Sequence, residues 1–258
     1  MRSLVPTLDQ LGMLEPKERR GSRLRCVVFT EGDRATVAER LRELVDGTAV
    51  VHPDRHVWLP NGFRMPQEAR LGDTQAFISA NRRDALMHWW LANPKNANVP
   101  NWDVASGASI DGREGLILVE AKAHTNEFPT EGKSTGGNAQ NHNHIEQAIK
   151  EANDGLNEVM PGWNLTAKAN YQICNRFAWA WKLAALGVPV TLVYLGFLNA
   201  QEMADQGPPF CTSDAWTQAV RAHSQGFIPE AAWHETFLFN GTPLRALLRS
   251  MTLEIGAA

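Results

Sequence analysis

Apolar positions along this chain return with two different periods. Runs of adjacent or alternating apolar residues, suited to strands, are interleaved with stretches in which they recur every third or fourth residue, suited to helices. That interleaving predicts an α/β protein with helices packed on a sheet. Arg25 to Thr30 reads as a short strand. Asp33 reads as the N-cap of a helix presenting Val37, Ala38, Leu41, Leu44 and Val45 on one face, until Asp46-Gly47 ends it. Thr48 to Val51 and His56 to Leu59 suit two short strands around Pro53-Asp54. Thr74 to Ala92 suits a helix whose stripe of Phe77, Ile78, Ala85, Leu86, Trp89 and Trp90 is stopped by Asn93-Pro94.

Beyond residue 122 the pattern changes. Thr125 to Asn141 is rich in Gly, Asn, Thr and Ser and reads as a mobile loop, in which Lys133 is available to a phosphate. Helices are expected from His142 to Leu156 and from Lys168 to Leu186, the second stopped by Gly187. Val188 to Leu198 suits an interior strand, and Asp214 to His223 and Thr242 to Met251 read as helical pieces. Phe177 to Leu198 is apolar enough to imitate a membrane span, but Lys182, Gly187 and Pro189 divide it into a helix and a strand.

The densest chemical signal lies between residues 101 and 122. Asn101-Trp102-Asp103 opens one extended run, and Gly115 to Lys122 forms another that is apolar from Leu116 to Val119 before Glu120 and Lys122 appear. Asp111-Gly112 between them is a strong hairpin signal, because both central positions of a type I′ turn need positive φ. A two-residue loop at 111 and 112 sets Asp103 opposite Glu120. A four-residue loop from Asp111 to Glu114 sets Asp103 opposite Lys122 and Ala105 opposite Glu120. Either register leaves Asp103, Glu120 and Lys122 on one face; a three-residue loop would need a bulge to do so. Facing carboxylates repel, and a divalent cation between them removes that penalty. The alternative is a solvated ion pair at a strand end.

An Asp on one strand, then Glu-x-Lys after a short apolar run on the next, resembles the PD-(D/E)xK superfamily of restriction-endonuclease-like nucleases, over residues 73 to 198. The superfamily's Pro directly precedes its Asp, whereas Asn101 and Trp102 separate Pro100 from Asp103 here. The resemblance implies an αβββαβ core with a mixed central sheet flanked by helices. Residues 66–200 would form that core, with a small N-terminal α/β extension over 1–65 and a C-terminal helical extension over 201–258. It further implies Mg²⁺ or Mn²⁺ held by Asp103, Glu120 and the backbone carbonyl of Ala121, with Lys122 orienting or helping to deprotonate the attacking water. An acid on the helix before the hairpin would assist. Asp84, on one helix edge with Asn81 and His88, is the candidate, and Glu68 the substitute; the alternative for Asp84 is a solvated helix edge with Arg82 and Arg83 nearby. The reaction implied is phosphodiester hydrolysis, foremost by a DNA endonuclease. A catalytically silent module of the same fold, binding nucleic acid or a protein, is the rival.

Composition narrows these readings only a little. A length of 258 residues suits one large domain or a domain with an extension. A net charge of −3 and pI near 6.2 argue against a strongly basic, nonspecific nucleic-acid binder, without excluding local phosphate contacts. Arg19, Arg20, Arg23 and Arg25 form a modest basic cluster that suits either a duplex backbone or solvent. The cysteines 26, 174 and 211 are odd in number and widely spaced, which fits packing roles in a reducing compartment. With no secretion signal read in Met1 to Leu14, a cytoplasmic protein is expected, without membrane partners and compatible with a homodimer. His124, His142 and His144 lack the spacing of a zinc site or a convergent hydrolase centre.

Overall fold

The computed structural model describes residues 5–72, 76–94, 99–134 and 138–255. Helices α1 (Leu8–Gly12), α2 (Gly21–Phe29) and α3 (Arg34–Leu44) precede strand β1 (Trp58–Leu59) and helix α4 (Ala80–Trp90). The hairpin β2 (Val104–Ile110) and β3 (Arg113–Lys122) follows, then α5 (Ala139–Val159), α6 (Tyr171–Ala185) and β4 (Val190–Leu198). Helix α7 (Ser213–Ser224) leads to a second hairpin, β5 (Thr236–Phe239) and β6 (Thr242–Thr252). Among the described residues the strands form one mixed sheet in the order β1-β2-β3-β4-β6-β5. β2 runs antiparallel to its neighbours, whereas β3, β4 and β6 are parallel to one another.

The turn at Asp111-Gly112 adopts positive φ at both positions, 49° and 75°, and so selects the two-residue loop. Val104 therefore pairs with Val119, the register that sets Asp103 opposite Glu120. β3 is covered on both faces, so its near-continuous apolar run is that of an interior strand. Leu116 and Leu118 pack with Ile149, Phe177 and Leu192 beneath α5 and α6. Ile117 and Val119 pack with Cys26, Phe29, Val37 and Leu41 beneath α2 and α3. The residues before position 65 thus supply the helical layer on one face of the sheet. Asp33 caps α3 by accepting the Thr36 N–H at 2.9 Å, as its position predicts.

Two expected elements are of the other kind. Arg25 to Thr30, expected as a strand, lies almost wholly within α2: Leu24, Val27 and Val28 share one face at helical spacing, while Cys26 and Phe29 enter the sheet-facing core. A short apolar run does not reveal its period by itself. Thr242 to Met251, expected as a helix in a C-terminal helical extension, is β6 and sits inside the sheet, pairing with β4 from Val190–Leu244 onward. Its Arg245 and Arg249 are four apart, a spacing that shares a face in a helix and in a strand alike. The overlooked signal is Asn240-Gly241, with φ of 50° and 75°, the same turn chemistry as Asp111-Gly112.

From α4 to β4 the described residues give a helix, a two-stranded hairpin, two helices and a strand, one strand fewer than the expected αβββαβ order, because β1 precedes α4. The described part of the expected mobile loop is tied down. Lys133 N–H donates to Ala167 O at 2.7 Å, and Asn170 N–H donates to Thr130 O at 2.9 Å, so the strand-like strap before α5 runs against the entry to α6. Gly136-Gly137 lies outside the described residues. Among the described residues no helix is long and apolar enough to cross a membrane.

A buried charge in β6 tests its place in the sheet. Ala246→Asp should cost about 3 kcal/mol and lower the melting temperature by roughly 6 to 12 °C in thermal denaturation. Leu238→Asp, at an exposed position of β5, should stay within about 0.5 kcal/mol of the parent. Equal effects at the two positions would contradict the interior strand.

Candidate functional site

Three stretches of backbone bring acids side by side. β3 sends Glu120 and Lys122 toward α6, both buried, on the face that also carries Leu116 and Leu118. The hairpin register sets Asp103 beside Glu120, and Asp103 Oδ2 accepts the Ala121 N–H at 2.7 Å. On the other side of Asp103, Ala69 and Trp102 exchange backbone hydrogen bonds of 3.1 and 2.9 Å. That antiparallel pair sets Glu68 across from Asp103 and Arg70 across from Asn101. Glu68, Asp103 and Glu120 thus stand in a row over three neighbouring backbone segments. All three line a cleft of 760 Å³.

Helix α6 supplies much of the compensating polarity. Arg176 Nε donates to Glu120 Oε2 at 2.6 Å, and Lys122 Nζ donates to Glu120 Oε1 at 2.5 Å. Lys122 Nζ also donates to Gln172 Oε1 at 2.9 Å. The guanidinium of Arg176 is fixed from two further directions, by Asn175 Oδ1 at 2.8 Å and by the Trp102 ring, whose centroid is 4.8 Å from Cζ. Gln172 and Arg176 are four apart and so lie on one helix face. Opposite them, Glu127 accepts the Ala123 N–H and, at 3.1 Å, the Ser22 hydroxyl.

Burial and charge divide the titratable groups. Asp103 is pushed up to about 7, first by burial and then by the negative charge of Glu120, with Glu68 adding to it and Lys122 opposing. Burial would raise Glu120 as well, but Arg176 and Lys122 outweigh it and hold that carboxyl below its ordinary value. Burial works against the charge of Lys122, yet Glu120 and Asp103 keep its ammonium above the ordinary lysine value. His223, on α7, is lowered to about 4 by burial and then by Lys122, and its ring packs on Phe128 with centroids 4.8 Å apart. Near neutral pH the site therefore holds an ionised Glu120, a cationic Lys122 and Arg176, and a carboxyl at Asp103 poised to gain or lose a proton.

Other expected positions lie elsewhere. Asp84 is on the exposed side of α4, its side chain 60% accessible and 3.3 Å from Arg83, and it does not line the cleft. Glu68 has the position foreseen for such an acid, brought there by backbone pairing rather than by a helix. Ala121 lines the cleft, with its N–H taken by Asp103. Lys133 stands 5.8 Å from the Tyr171 ring centroid, outside the cleft lining. The histidines do not converge: His124 neighbours Glu127, His142 neighbours Glu146, and His144 meets the His88 carbonyl. The N-terminal arginines are engaged internally. Arg25 pairs with Glu202, Arg20 with Asp205, Arg19 with the Leu14 carbonyl and Arg23 with the Pro66 carbonyl.

Gln172, Asn175, Arg176 and Glu127 are among the cleft residues that sequence reasoning missed. A signal for Arg176 existed: Asn175-Arg176 interrupts a helix that is apolar on nearly every side. A charged residue in such a setting needs a partner, and buried acids are scarce. Among the described residues no three His, Cys, Asp or Glu side chains are drawn together closely enough to enclose a metal ion. Donor chemistry suits a hard divalent cation all the same: Asp103 is a half-buried carboxyl short of positive charge, and its Oδ1 has no hydrogen bond among the described residues. Asp103, Glu120 and Glu68 are the residues that would hold one.

Removing one member of the buried ion pair leaves the other uncompensated, so Arg176→Met should cost about 3 to 5 kcal/mol. Adding Glu120→Met should recover at least about 2 kcal/mol against the sum of the single changes, read from a double-mutant cycle in urea. Additive effects would rule out the coupling. Asp103 gives a pH signature. Its carboxyl keeps a proton in the folded state that the unfolded chain releases near pH 4, so stability falls as pH rises from about 4 to 7 and stays low above. Asp103→Asn should therefore match the parent at pH 4 and exceed it at pH 8 by on the order of a few kcal/mol in metal-free buffer. A pH-independent difference would be contrary to that proton assignment. No protein-family model, curated protein or solved structure matches this chain.

Proposed function

We propose that this chain hydrolyses phosphodiester bonds of nucleic acid, DNA foremost, in the cleft between β3 and α6, with Mg²⁺ or Mn²⁺ taken up by Asp103 and Glu120. The observation that carries this reading is the convergence of half-buried Asp103 with buried Glu120 and Lys122 on one wall of the cleft. Supporting it are the α4–β2–β3–α5–α6–β4 order and the parallel pairing of β3 with β4, which suit a restriction-endonuclease-like core. A divalent cation bound there would polarise a phosphoryl oxygen and lower the pKa of a bound water.

The chain's own residues have separate tasks. Asp103 and Glu120, with Glu68 beside them, give the cleft floor the hard oxygen donors such a cation needs. Lys122 remains cationic, which suits it to orienting water and to offsetting charge on the phosphoryl oxygens rather than to taking a proton. Gln172 fixes the Lys122 ammonium, and Arg176 fixes the Glu120 carboxylate. Water adds to phosphorus as the P–O ester bond breaks, leaving a phosphate monoester and an alcohol.

The second reading, a silent module that binds nucleic acid or a protein, is favoured by one observation: both oxygens of Glu120 are committed to Lys122 and Arg176. Plasmid and single-stranded DNA incubated in Mg²⁺ or Mn²⁺ separate the two. Cleavage should fall at least about 100-fold in Asp103→Asn, Glu120→Gln and Lys122→Ala, and about 10-fold in Glu68→Gln. Asp84→Asn should cut at nearly the parental rate. Mg²⁺ should also raise the melting temperature of the parent at pH 8 and leave Asp103→Asn unmoved. Equal cleavage by every variant would mean that another site or a contaminant is responsible, and no cleavage by the parent would leave the binding module.

A further inference from the structure

We infer that a second cavity, adjoining the cleft, is a nucleobase subsite that takes the unpaired base of the nucleotide next to the phosphate in the cleft. The inference rests on the nuclease reading and specifies its substrate as single-stranded or flapped nucleic acid. The cavity measures 600 Å³ and shares Glu68, Arg70 and Asn101 with the cleft. Those three residues form a hydrogen-bonded partition: Arg70 Nε donates to Asn101 Oδ1 at 2.9 Å, and Asn101 Nδ2 donates to Glu68 Oε2 at 2.9 Å. The Ala69–Trp102 backbone pair fastens this partition directly beside Asp103. One wall thus separates the reacting phosphate from the neighbouring chamber, so a chain passing the cleft has its adjacent base at the second opening.

The lining selects a base over a phosphate. Glu15, Glu18 and Glu68 outnumber the guanidiniums of Arg23 and Arg70, and Arg70 is already bonded to Asn101, so an anion is disfavoured. The Gln67 amide and the Glu15 carboxylate are exposed and make no side-chain hydrogen bond among the described residues. Met13, 61% accessible at this cavity, supplies exposed apolar surface. An apolar wall beside an amide and carboxylate acceptors matches a flat heteroaromatic ring with a polar edge. A paired base presents that edge to its partner and must be unpaired first, which favours single strands. Carboxylate acceptors further favour bases with an exocyclic amino group, namely cytosine, adenine and guanine, over thymine.

Fluorescence anisotropy of labelled oligonucleotides in Ca²⁺ reads the subsite, and cleavage in Mg²⁺ reads the nuclease. Oligo-dC should bind about tenfold more tightly than oligo-dT and than a blunt duplex of equal length. Gln67→Ala and Glu15→Gln, both at exposed positions, should bring the dC/dT ratio to within about twofold of unity. A loss of affinity shared by all sequences would not move that ratio, and melting temperatures within a few degrees of the parent verify that each variant is folded. Equal binding of dC and dT by the parent, or a ratio unchanged in both variants, overturns the subsite whatever the cleavage result. Base discrimination without any cleavage upholds the subsite and fails the nuclease reading instead.

Discussion

A single buried carboxylate organises the cleft. Glu120 is 2% exposed, and a charge that deep is tolerated only if cations and hydrogen bonds replace the water it has lost. Lys122 from its own strand takes one oxygen and Arg176 from α6 takes the other. This requirement fixes how α6 lies over β3. It also explains why Arg176 is held by Asn175 and stacked on Trp102, since a misplaced guanidinium would leave Glu120 unpaired.

The neighbouring acid is treated differently, and the difference sets the two carboxyls of the cleft apart. Asp103 receives one backbone N–H and no direct cation, while Glu120 and Glu68 flank it with like charge. Its carboxyl is consequently raised as that of Glu120 is lowered. Two neighbouring acids thus have oppositely displaced proton affinities, a contrast that accompanies functional sites. The sheet produces this asymmetry, because register alone determines which acid meets α6 and which meets the segment around Ala69.

The surrounding elements keep that geometry in place. α2 and α3 close the far face of β3, so the strand cannot rotate its charged residues away from α6. β4 lies between β3 and β6, with Tyr194 paired to Glu120 and Leu248 in turn paired to Tyr194. The backbone after β3 is tied to residues 208 and 209, and the strap before α5 is tied to residues 167 to 171. Both attachments steady the cleft rim near Glu127 and Tyr171.

Local chemistry alone determined the hairpin and the charges it carries. Asp111-Gly112 permits a tight turn, and period-two alternation then forces Asp103, Glu120 and Lys122 onto one face. The cap at Asp33 and the stop at Gly187 are local in the same sense. Elements whose residue spacing fits both a helix and a strand were not legible. Arg25 to Thr30 became helical, and Thr242 to Met251 became a strand, through partners distant in sequence. Glu68, Gln172 and Arg176 reached the site through non-local pairing across Ala69–Trp102 and through the packing of α6. Burial, and with it the contrast between Asp103 and Glu120, exists only when those segments have come together. The chain itself specified which acids and which base share a face; the folded structure decided which of them is neutralised, because desolvation and ion pairing depend on neighbours that local sequence does not name.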